Sequence, residues 1–99
     1  MADRTRVTRS RFEFEEDGKI AYLEFETDDH GWLTLLHTEV PPELRGRGIA
    51  GTLVQTALQY GRDNRLRLDV LCPLAADYLA RHPELRQTPD FTPSAEPPK

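Results

Sequence analysis

The chain has 99 residues, 30% of them charged and 37% hydrophobic, with one cysteine and a formal net charge of −4. That length supports one small domain with a modest core. The acidic balance argues against a general nucleic-acid binder, and a lone thiol excludes an internal disulfide. No apolar leader and no long apolar run is present, so neither a signal peptide nor a membrane span is expected, and a reducing cytoplasm is the expected location. Residues 1–10 are polar and basic and read as a flexible N-terminus, at most a weak edge strand. Residues 11–16 alternate, with Phe12 and Phe14 on one face, and Asp17-Gly18 is a hairpin signal. Residues 19–27 alternate again, Ile20 and Tyr22 on one side, Ala21, Leu23 and Phe25 on the other. After the turn Asp28-Asp29-His30-Gly31, residues 32–40 form a third strand. It is apolar on both faces near Leu35 and Leu36, which predicts a central strand covered on both sides.

Two prolines end that strand, and Arg45-Gly46-Arg47-Gly48-Ile49-Ala50-Gly51 follows. Ile49, Leu53, Val54, Ala57 and Leu58 then recur at helical spacing, with Asn64 as the stop. Residues 66–71 read as a fourth strand, parallel to the third because a helix separates them. Pro73 suits the first turn of a short helix ending at Arg81. From Gln87 the chain is rich in Pro, Ser and Thr, and residues 87–99 are expected to be a disordered tail. The predicted architecture is α/β: a three-stranded antiparallel meander, a parallel β-α-β unit and a short C-terminal helix, within residues 11–86.

The glycine-rich stretch carries the functional signal. At a helix N-terminus, unpaired N–H groups converge with the positive end of the helix dipole behind them, which makes an anion site. Three glycines and two arginines in seven residues exceed what a turn needs. Gly46-x-Gly48-x-x-Gly51 also matches the dinucleotide fingerprint, but three hairpin-linked strands precede it and the chain is too short for two nucleotide-binding halves. A Walker loop is excluded, because no Gly-Lys-Ser/Thr follows.

Arg45-x-x-Gly48-x-Ala50 resembles the pyrophosphate loop, Arg/Gln-x-x-Gly-x-Gly/Ala, of the GNAT N-acetyltransferase superfamily. His37-Thr38-Glu39-Val40 before it, Cys72-Pro73 after the next strand, and Tyr78 with Arg81-His82-Pro83-Glu84 resemble a compact single-domain GNAT-like subfamily. The resemblance implies a small GNAT-like fold that binds acetyl-coenzyme A or another acyl-coenzyme A as co-substrate. It implies transfer of the acyl group to an amine acceptor, with no nucleic acid or membrane partner. The N–H groups of Gly46, Arg47, Gly48, Ile49, Ala50 and Gly51 are then the diphosphate cradle, and Arg45 or Arg47 adds charge. The main chain of Thr38 to Val40 pairs with the pantetheine arm, which a splay between the two parallel strands admits. A full GNAT domain carries further helices and strands that this chain lacks, so an acyl-coenzyme A binder or sensor acting through a protein partner is the alternative.

Four side chains are candidates for chemistry. Tyr78 resembles the tyrosine that faces the coenzyme A sulfur, or packs its ring on the core. Cys72, before a helix start, is a candidate nucleophile that takes the acyl group, or a small buried apolar residue. His37 and Glu39 share a side if the strand is regular, and either could take the amine's proton. Their plain readings are a core histidine and a solvated strand end. The scattered histidines and the single cysteine show no metal-ligand spacing.

Overall fold

A computed structural model describes residues 5–86. The expected disordered tail, residues 87–99, lies outside the described residues. Five strands form one sheet in chain order: β1 (Thr5–Val7), β2 (Arg11–Glu16), β3 (Lys19–Thr27), β4 (Trp32–Glu39) and β5 (Arg67–Val70). The first four are antiparallel, and β5 runs parallel to β4. Helix α1 (Ile49–Asp63) joins the parallel pair, and α2 (Pro73–Arg81) follows β5. The architecture matches the α/β reading, with one strand added. Thr5 to Val7, read as flexible or at most a weak edge strand, pair with Phe14 to Phe12.

Local chemistry explains the turns. Asp17 and Gly18 both take positive φ, 54° and 76°, the geometry a two-residue hairpin needs to match strand twist. Asp28 Oδ1 accepts from the N–H of His30 at 2.8 Å and of Trp32 at 3.1 Å, closing the β3–β4 turn as a side-chain mimic of a backbone turn. Asn64 stops α1 as expected, its Nδ2 donating to the Tyr60 carbonyl at 2.8 Å.

Period-two alternation places Phe12, Ala21, Leu23, Phe25, Leu33, Leu35, Leu68 and Val70 on one face of the sheet. The buried stripe of α1 and Ala75 and Leu79 of α2 pack on that same face. Phe12 stacks on Phe25 at 4.3 Å, and Tyr60 meets Phe12 edge-on at 5.4 Å. The helices touch each other side by side, so the opposite face has no second layer among the described residues. This corrects the expectation that residues 32–40 are covered on both sides. Trp32 lies half-buried on the uncovered face, with the Arg67 guanidinium over its ring at 5.5 Å.

Candidate active site

The site grows from one irregularity in β4. Phe25 pairs with Leu35, and the next residue of β3 back along the strand, Glu24, pairs with His37; Leu36 is the extra residue of a bulge. This accounts for the adjacent leucines that suggested two covered faces. The bulge resets the alternation. Leu33, Leu35 and Thr38 face the helices, whereas His37 and Glu39 face the open side of the sheet.

The bulge also ends the parallel ladder. β5 pairs with β4 from Trp32–Arg67 to Leu35–Val70. The N–H groups of Leu71 and Cys72 then both donate to the Leu35 carbonyl, at 2.9 and 3.0 Å. Past that shared acceptor β5 turns into α2 while β4 runs on to Glu39, and the strands splay into a wedge. The outer backbone edge of residues 36–39 is left without a strand partner among the described residues.

A pocket of about 420 Å³ opens at this wedge. Thr38 and Glu39 line it from β4, Val40 from just past the strand end, Arg45, Gly46 and Gly48 from the loop, and Ile49 and Ala50 from the start of α1. Leu44 and Leu74 complete it. Sequence reasoning missed both leucines; the available signal for Leu74 was an apolar residue directly after the helix-starting Pro73, left 41% exposed.

The loop is built to present N–H groups. Pro42 opens a short 3-10 turn that ends at Leu44, and Gly46 and Gly48 take φ of 81° and 77°, the left-handed region that a Cβ disfavours. No side chain caps α1. The first bond of the helix runs from Thr52 N–H to the Gly48 carbonyl at 3.1 Å. Among the described residues, none of the N–H groups of residues 46–51 has a protein acceptor. Behind them stands the dipole of a 15-residue helix.

The two loop arginines do different things. Arg45 borders the pocket and is anchored by Nε to the Val40 carbonyl at 3.0 Å. Arg47 turns to the β2–β3 hairpin, where Nη1 meets Glu16 Oε2 at 2.9 Å. Lining the pocket, of the residues expected to hold a cofactor, are Thr38, Val40, Arg45, Gly46, Gly48, Ile49 and Ala50; Arg47 and Gly51 do not.

The candidate catalytic residues divide by location. His37 Nε2 lies 3.1 Å from Glu39 Oε1 on the open face, both side chains about half exposed, with Tyr22 nearby at 6.3 Å between rings. Cys72 is 1% exposed, and its Sγ sits 3.1 Å from Thr38 Oγ1 across the base of the wedge. Thr38 therefore stands between Cys72 and the pocket. Tyr78 lies outside the pocket lining: its ring packs on Gly51 and on His82, and its hydroxyl accepts from Gln55 Nε2 at 2.7 Å. Gln55 is a third residue that sequence reasoning missed, for it has no pattern that marks it. Among the described residues there is no cluster of metal-type ligands, and no helix is long and apolar enough to cross a membrane.

A family model described as GCN5-related N-acetyl-transferase matches residues 11–88. No curated protein matches the chain.

Proposed function

The chain belongs to the GCN5-related N-acetyltransferase family, whose chemistry is acyl transfer from acyl-coenzyme A, and from that premise we propose that it is an acyl-coenzyme A-dependent N-acyltransferase, with acetyl the preferred group and an amine the acceptor. The observation that carries this reading is the uncapped run of N–H groups at residues 46–51, opening onto a pocket that leads to the wedge between β4 and β5. The diphosphate lies against those N–H groups, with Arg45 adding charge and Gly46 and Gly48 permitting close backbone approach. The pantetheine arm runs along the open edge of β4, as an added strand would.

The thioester then reaches the wedge, and the amine approaches from the uncovered face. The His37–Glu39 pair takes the amine's proton, the amine nitrogen attacks the thioester carbonyl, and the thiolate leaves. Direct transfer suits the geometry better than an acyl-cysteine route, since Cys72 is buried behind Thr38.

Calorimetric titration with coenzyme A tests the reading. Binding is expected, and Arg45→Glu or Gly48→Asp should weaken it by about tenfold or more. No heat at millimolar ligand would refute it. The uncovered sheet face favours one second reading, a non-catalytic acyl-coenzyme A sensor, because no second layer among the described residues builds an acceptor wall. Thiol release from acetyl-coenzyme A in the presence of amines separates the two.

A further inference from the structure

Thr38 is the one buried polar side chain among the described residues, 8% exposed, and it borders the pocket. A buried hydroxyl destabilises a fold unless it is hydrogen-bonded, and here the partner is a thiol: Cys72 Sγ at 3.1 Å. A hydroxyl offers one donor and two acceptor lone pairs, and its oxygen accepts better than a thiol sulfur. The pair is therefore best satisfied with Cys72 S–H donating to Thr38 Oγ1. That arrangement leaves the Thr38 O–H to donate elsewhere, and the pocket is the open space beside it. Of the β4 residues that line the pocket, Thr38 lies farthest along the chain from the phosphate-type loop, towards the end where a thioester would sit.

From this we infer that Thr38 Oγ1–H is the hydrogen-bond donor to the leaving sulfur, and that Cys72 is a positioning residue that turns that donor into the pocket. The inference rests on the acyltransfer reading above. As the N–C bond forms, the C–S bond breaks and its electron pair goes to sulfur. The amine's proton goes to the His37–Glu39 pair, and the thiolate, held by Thr38 O–H, takes its proton from water. Thr38 and Cys72 end the cycle unchanged. A donor fixed towards developing charge is the kind of group that acts on the transition state more than on binding. Tyr78, the other hydroxyl considered for this role, is engaged by Gln55 outside the pocket lining.

The test uses the full chain, with coenzyme A calorimetry and thiol release from acetyl-coenzyme A. Excess hydroxylamine serves as the amine, since it needs no acceptor subsite. Thr38→Val should lower kcat by roughly 10- to 100-fold while coenzyme A affinity stays within about twofold, and Thr38→Ser should restore most of the rate. Cys72→Ala should lower kcat by about 3- to 10-fold and Cys72→Ser should remain near the parent, because a hydroxyl replaces the thiol donor. The assignment is overturned if Thr38→Val leaves kcat within about twofold, if it weakens binding as much as turnover, or if serine fails to rescue either position. Should Thr38→Val not fold, the contrast between the two Cys72 variants decides. A parent protein that binds no coenzyme A would overturn the acyltransfer reading itself, whereas turnover indifferent to Thr38 would overturn this assignment alone.

Discussion

A Cβ added at Gly51 would stand 2.6 Å from Tyr78 Cε1, closer than any relaxed contact. Gly51 has ordinary helical φ, so its need for glycine comes from a neighbour and not from the backbone. Alanine in a helix is favoured over glycine by about 1 kcal/mol, yet forcing a methyl into a packed site costs about 1–3 kcal/mol. Gly51→Ala should therefore destabilise the protein by roughly 1 kcal/mol, and in a Tyr78→Ala background the same change should stabilise it. A denaturant double-mutant cycle reads the sign reversal; its absence would mean that Tyr78 does not rest on Gly51. Asp28 offers a second test at this scale. Its carboxyl titrates below its ordinary 3.8, held down first by the Trp32 N–H, against an opposing effect of burial that is larger than the further lowering by the His30 N–H. A depressed carboxylate contributes stability that is full above its unfolded pKa and is lost as pH falls through the folded value. The urea-midpoint gap between the parent and Asp28→Ala should therefore be flat above about pH 5 and shrink below about pH 4. A gap that widens on acidification would contradict the turn geometry.

The elements themselves were legible where one residue pattern had one cause. Asp17-Gly18, the stripe Ile49–Leu53–Val54–Ala57–Leu58 and Pro73 each announced its element, and each is found there. Two features were not legible, for physical reasons. The strand Thr5–Val7 is only 3 residues long, and its pairing depends on the edge of β2, which local sequence does not encode. The bulge at Leu36 is a tertiary event: two adjacent leucines look like a doubly buried strand until the pairing with β3 shows that one of them is extra. The bulge also decides the site, since it ends the ladder with β5 and opens the wedge. Deleting Leu36 would leave Leu35 and His37 in their present register with β3, so the fold should survive with circular dichroism unchanged. The straightened β4 should then close on β5, and coenzyme A affinity should fall by about tenfold or more. Undiminished affinity in the deletion variant would show that the bulge does not make the gap. The conformation of the loop was legible because positive-φ glycines and an uncapped helix start are local properties. The division of labour between Arg45 and Arg47 was hidden, because it is set by Glu16, 31 residues away.

At the scale of the whole molecule, among the described residues, the sheet is covered on one face only, and the buried apolar side chains form a single cluster between that face and the two helices. A domain of this size has little stability in reserve, so a ligand that binds only the folded state should register strongly. The pocket is walled by β4, the loop, α1 and the first turn of α2, elements that come from both sides of the parallel crossover. Occupying it ties these pieces together. By mass action a ligand at 100 times its Kd adds about 2.7 kcal/mol, and for a domain of this length each kcal/mol moves Tm by about 4–8 °C. Coenzyme A at that ratio should therefore raise Tm by roughly 10–20 °C. Inorganic phosphate at the same concentration reaches only the N–H groups of the loop and should move Tm far less. Equal shifts from the two ligands would mean that the loop binds any phosphate and the pocket along β4 contributes nothing. A large shift from coenzyme A alone requires the pantetheine arm to be gripped, which is the role proposed above for the end of β4.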